Sequence, residues 1–106
     1  MSYRFIRGHV GGLQVSVKYS YMKAIELDPE NAKAWCNLGT VGGGLIGSVQ
    51  YSKKDCYMKA VQLDPKHAKA WCNLGSLGGG SVGGLPYSKK DCYMKALELE
   101  PKYKGG

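Results

Sequence analysis

The chain has 106 residues, of which 43% are hydrophobic and 22% charged, a balance that excludes a disordered polymer and leaves room for one compact domain. Fifteen Lys and Arg against eight Asp and Glu give a net charge of +7, which favours acidic partners (nucleic acid, anionic lipid or acidic peptides) unless the lysines only solvate a helical surface. No apolar run approaches the roughly 20 residues of a membrane span, and Met1 to Gly8 carries no signal-peptide core, so the expected location is cytoplasmic, with an extracellular one left open.

The run Ala32-Lys33-Ala34-Trp35-Cys36-Asn37-Leu38-Gly39 returns as Ala68-Lys69-Ala70-Trp71-Cys72-Asn73-Leu74-Gly75, and Pro29, Pro65 and Pro101 keep the same interval of 36 residues. A fixed period of this size marks a repeat, in which each copy buries its apolar face by stacking on its neighbours. Residues 1–29 read as a degenerate partial copy, 30–65 and 66–101 as full copies, and 102–106 as a tail where another first helix would begin.

In the partial copy, Val10-Gly11-Gly12-Leu13 signals a hairpin turn. Alternating Leu13, Val15, Val17 and Tyr19, facing Val10, Gly8 and Ile6, predict a longer ribbon, and Tyr21 to Pro29 aligns with the end of a second helix. The first full copy opens with a predicted helix A over Glu30 to Thr40, repeated over Lys66 to Ser76, with Trp35 and Leu38 on one face and Pro29 at the tolerant first turn. Gly39 beside Trp35 predicts close helix approach, and Gly42-Gly43-Gly44 ends the helix.

Leu45 to Tyr51, matched by Ser81 to Tyr87, places aliphatic residues around Gly47-Ser48 and Gly83-Gly84. A two-residue hairpin would pair Ile46 with Val49 and Val82 with Leu85, while an irregular glycine loop is the alternative. Pro86 limits the second hairpin to a few residues or an edge position. Helix B follows, with Ser52 and Ser88 as caps and Asp55 and Asp91 three residues on to complete the box. Cys56, Tyr57, Ala60, Val61 and Leu63 form its apolar stripe, with Lys54, Lys59 and Gln62 on the other side, and Asp64-Pro65 and Glu100-Pro101 end it.

Catalysis finds little support. No nucleophile and base recur together, Asp55 and Asp91 serve as caps, and His67 has no counterpart in the other copies. The glycine runs lack the strand, spacing and lysine of a phosphate loop, so no cofactor is expected. Cys36, Cys56, Cys72 and Cys92 make no CxxC pair and His9 and His67 do not recur with them, so metal is not expected. Packing as small apolar residues, or a Cys36 to Cys56 bridge in an oxidising compartment, remains.

Trp35, Leu38, Gly39, Tyr57, Ala60 and Pro65, with Trp71, Leu74, Gly75, Tyr93, Ala96 and Pro101, resemble the pattern of the tetratricopeptide repeat. The resemblance implies a mainly α fold, a solenoid array of helix-turn-helix repeats, with core residues Trp35, Leu38, Tyr57, Ala60, Trp71, Leu74, Tyr93 and Ala96. The family period is about 34 residues, and a short glycine-turn hairpin inserted between helix A and helix B accounts for the longer one here. It also implies a non-enzymatic module that binds a protein or peptide on the helix A face, where Lys33, Asn37, Lys69 and Asn73 match positions that in some members hold an acidic C-terminus. Their spacing of four suits one helix face offering charge and an amide donor.

Two further readings stand beside that one. The array looks open at both ends, so head-to-tail self-assembly into a ring or filament is the main alternative. Nucleic-acid binding is the lesser one, with Tyr51, Tyr57, Tyr87 and Tyr93 interleaved with lysines as stacking groups.

Overall fold

The structure is a computed structural model that describes residues 17–101. Helix α1 occupies 17–27. It is followed by α2 (Ala32–Thr40), the hairpin β1 (Gly44–Ile46) and β2 (Val49–Tyr51), α3 (Lys53–Leu63), α4 (Ala68–Ser76), the hairpin β3 (Gly79–Val82) and β4 (Leu85–Ser88), and α5 (Lys89–Leu99). The helices pack in chain order, α2 on α3 and α4 on α5 within a repeat, and α3 on α4 between repeats.

Two expected boundaries move. Helix A begins at Ala32 and Ala68, two residues later than the Glu30 and Lys66 of the sequence reading. Pro29 and Pro65 belong to the turn before the cap, because Asn31 and His67 take the cap position: Asn31 Oδ1 accepts from the Ala34 N–H at 3.1 Å and His67 Nδ1 from the Ala70 N–H at 3.4 Å. The predicted N-terminal ribbon is also shortened. Val17 and Tyr19 lie in α1, where the sequence Tyr21-Met22-Lys23-Ala24-Ile25 continues helical periodicity, and the rest of the ribbon falls outside the described residues.

Helix A ends as the glycines require. The Gly43 N–H donates to the Leu38 carbonyl at 2.9 Å, while Gly42 and Gly43 take φ of 99° and 83°. A Cβ on Gly43 would stand 2.2 Å from the Tyr51 carbonyl oxygen, so only glycine lets the chain leave helix A and enter the hairpin. Both hairpins are antiparallel, with Ile46 opposite Val49 and Val82 opposite Leu85. Pro86 sits opposite Ser81 within a four-residue strand. Pairs beside a two-residue turn exchange hydrogen bonds and the next pairs do not, so the N–H that Pro86 lacks is not called on by its partner.

Helix B then starts on a complete capping box. Ser52 Oγ accepts from the Asp55 N–H while Asp55 Oδ2 accepts from the Ser52 N–H, both at 3.0 Å, and Ser88 and Asp91 repeat the arrangement. These bonds hold the exposed Asp91 carboxyl below its ordinary range.

One core runs through all five helices. Ile25 of α1, Trp35 and Leu38 of α2, Tyr57, Ala60 and Val61 of α3, Trp71 and Leu74 of α4, and Ala96 of α5 are buried. Tyr93 departs from the expected core set by being only half-buried, since no further helix of the described residues packs on α5. Each indole N–H donates back to the turn before its own helix, Trp35 Nε1 to the Pro29 carbonyl at 2.8 Å and Trp71 Nε1 to the Pro65 carbonyl at 2.7 Å. The rings in turn receive the hairpin tyrosines. Tyr51 meets Trp35 edge-on with centroids 4.7 Å apart, and Tyr87 meets Trp71 at 4.8 Å.

Lys59 departs from the solvent face expected of it. Its ammonium reaches back to lie 5.8 Å from the centre of the Trp35 ring, and the side chain is half-buried. The four cysteines are free thiols, and Cys36, Cys56 and Cys92 are buried. Burial pushes the Cys56 thiol up to about 12.

Truncating Trp71, which is 2% exposed, to alanine should cost roughly 3 to 5 kcal/mol in urea unfolding, and a near-neutral change would contradict its place in the core. The thiols give a second check. At pH 8, iodoacetamide should label the half-buried Cys72 first and Cys56 only on unfolding. Burial holds the folded Cys56 thiol at about 12 against an ordinary value of 9.0, so its contribution is intact below pH 9 and declines progressively from there towards pH 12. The urea midpoint of Cys56→Ala, measured against its own value at pH 8, should therefore fall less above pH 9 than that of the parent chain.

Candidate functional site

The helix A residues singled out in the sequence stand at matching places on α2 and α4. Lys33 and Lys69 are exposed and Asn37 and Asn73 half-buried. Asn37 and Asn73 also hold the helix ends, as their carbonyls accept from Thr40 Oγ1 and Ser76 Oγ at 2.6 Å. Within each helix, lysine and asparagine lie four apart and so share a face.

One contact crosses between the A helices of the two repeats. Asn73 Nδ2 on α4 reaches Cys36 Sγ on α2 at 4.0 Å. Lys69 lies close enough to bear on the same thiol, opposing the burial that raises it. Asn73 of α4 thus turns toward α2, and the exposed lysines of the two A helices carry two formal positive charges with no acid from α2 or α4 beside them. Such a surface can take a carboxylate by charge and a peptide backbone by amide hydrogen bonds.

Two clefts lie elsewhere. One, of about 580 Å³, is lined by Ile25, Glu26, Glu30, Trp35, Tyr51 and Lys59 between α1 and the first hairpin. The other, of about 420 Å³, runs along α5 beside the second hairpin and is lined by Leu85, Tyr87, Asp91, Met94, Lys95 and Glu98. Met94 is 51% exposed and Leu85 60%, the largest apolar exposure at this end of the described chain.

Among the described residues no group of three or more His, Cys, Asp or Glu is gathered to hold a metal. No helix there is long and apolar enough to cross a membrane. The tyrosines considered for base stacking are committed to internal packing: Tyr51 and Tyr87 against tryptophan, Tyr57 and Tyr93 beneath the helix A glycines.

Residue-by-residue reading of the sequence missed one recurring contact. Gly44 at the start of β1 lies against Lys18 and Met22 of α1, and Gly80 of β3 against Lys54 and Met58 of α3. The signal was the period itself, since lysine, methionine and glycine each return after 36 residues.

The model of the tetratricopeptide repeat family matches residues 20–41 and again 56–77. No curated protein matches the chain. Each match begins in a helix B and ends just past the following helix A, and each stops before a glycine hairpin. The inserted hairpins thus lie outside the family pattern and the paired helices within it. Both matches fall in the same register on α1–α2 and α3–α4, and over these residues the chain is similar to the tetratricopeptide repeat.

Proposed function

We propose that this chain is a protein-binding module, a short solenoid whose helix A face holds the acidic end of a peptide between Lys33 and Asn37 of α2 and Lys69 and Asn73 of α4. Repeats of this family commonly mediate contacts between proteins, and the matches on both repeats support the class of function. The observation that carries the specific reading is the reach of Asn73 on α4 to Cys36 on α2, next in the chain to Asn37, which supports placing the second Lys-Asn pair near the first. A peptide carboxylate would sit between two ammonium groups, with the amides orienting the backbone beside it. The net charge of +7 adds attraction at long range.

A second reading, self-assembly through the end formed by α5, is favoured by the exposure of Met94 and Leu85 beside the cleft along that helix. Singly exposed apolar residues are ordinary, but two beside a cleft suggest a covered surface.

The peptide reading is tested by fluorescence anisotropy with a labelled peptide ending in two acidic residues and a free carboxylate, against its C-terminal amide. Lys33→Ala and Lys69→Ala should each weaken binding by roughly fivefold, about 1 kcal/mol for an exposed ion pair, and added salt should weaken the parent further. Equal binding of the acid and the amide, or indifference to both substitutions, would remove the helix A face from consideration.

A further inference from the structure

The contact between repeats is built from one motif used twice. A Cβ placed on Gly44 would lie 3.2 Å from both Met22 Sδ and Lys18 Cε, and one on Gly80 would lie 2.8 Å from Met58 Sδ and 3.2 Å from Lys54 Cε. In each case a lysine and a methionine four residues apart on a helix B close over the glycine that opens the next hairpin. A Cβ there would press on the flexible ends of both side chains, so the glycine is what lets the lysine and methionine lie directly against the strand backbone.

The sequence contains three such helix faces, Lys18/Met22, Lys54/Met58 and Lys90/Met94, and three such glycines, Gly8, Gly44 and Gly80. Around the first glycine, Gly8-His9-Val10-Gly11-Gly12-Leu13-Gln14-Val15-Ser16 follows the pattern of Gly44-Leu45-Ile46-Gly47-Ser48-Val49-Gln50-Tyr51-Ser52. The correspondence starts at Gly8, since Ile6 and Arg7 stand where Gly42 and Gly43 turn the chain out of helix A. The structure joins the second glycine to the first face and the third glycine to the second face. That offset by one leaves Lys90/Met94 over among the described residues, with Met94 51% exposed where Met22 and Met58 are half-buried.

We infer that the Lys90/Met94 face of one molecule receives the Gly8 to Ser16 segment of a second copy, in the way the Lys54/Met58 face receives Gly80. This rests on the self-assembly reading and specifies it. The occupant of the face is set by what covers the same face twice within the molecule. The contact is heterologous, joining different surfaces of the two copies, so it propagates head to tail unless the rotation closes a ring.

A complementation experiment on the full chain tests it, by light scattering over a hundredfold range of concentration. Met94→Glu spoils the receiving face at an exposed position, and Gly8→Leu spoils the inserted glycine. Each variant alone should stay monomeric, with a dissociation constant raised at least about tenfold. An equimolar mixture should form a one-to-one dimer and stop there, because each molecule keeps one competent end.

If the parent is monomeric at every concentration, self-assembly itself fails. If the parent assembles but Gly8→Leu still dimerises alone, the contact is a two-fold one between α5 helices, and the Gly8 pairing fails while self-assembly stands. Circular dichroism guards against misfolding of Gly8→Leu. Should it misfold, a photo-reactive benzoylphenylalanine at position 94, mixed with isotope-labelled parent chain, gives the same decision. Cross-links to residues 8–16 of the labelled copy support the pairing, and cross-links confined to other segments overturn it.

Discussion

The approach of helix A to helix B, glycine onto tyrosine, is the contact on which the repeat depends. A Cβ on Gly39 would come within 2.6 Å of the Tyr57 ring, and one on Gly75 within 2.9 Å of the Tyr93 ring. With a glycine there the aromatic ring lies directly on the helix backbone and the two helices close. That closure brings Leu38, Ala60 and Val61 into one core. It also fixes how far apart the end of helix A and the start of helix B stand, which is the gap that the hairpin has to span.

The hairpin is accommodated by attachment to the core and not by its own pairing, since an isolated two-stranded ribbon is marginal in water. Tyr51 and Tyr87 provide the attachment through Trp35 and Trp71, whose indole N–H groups are already tied to the preceding turn. Turn, helix A and hairpin are thereby linked through a single tryptophan in each copy.

Much of this was legible in the sequence because a period of 36 lets each local signal be read twice. Gly47-Ser48 and Gly83-Gly84 both mark two-residue turns, and Ser52 and Ser88 both precede an acid by three residues. What was not legible depended on three-dimensional competition. Asn31 and His67 outbid the prolines for the start of helix A, because a side-chain acceptor at the cap satisfies an amide that a proline in the first turn leaves open. Lys59 reads as solvent-facing by spacing, yet its flexible stem returns to the Trp35 face. Alternation over Leu13 to Tyr19 favoured a strand, but by Val17 the chain is helical, since it joins the Tyr21 to Leu27 stripe that packs Ile25 in the core. For the candidate site, the equivalence of Lys33 with Lys69 was plain from the repeat, whereas the reach of Asn73 to Cys36 between repeats appears only in three dimensions.

The two proposed surfaces use different helices, and this bears on how they would combine. Lys33, Asn37, Lys69 and Asn73 lie on the A helices, while Met94 lies on the terminal helix B. A head-to-tail contact through Met94 therefore need not cover the Lys-Asn face, and each added molecule would bring two more Lys-Asn pairs onto the assembly. A peptide or protein with several acidic ends would then meet a second pair at the effective concentration set by the first, which can raise avidity by roughly 10²-fold or more with no new kind of contact. Weak individual pairs, as exposed lysines provide, are sufficient under that arrangement, and affinity would follow the number of repeats and not the strength of any one.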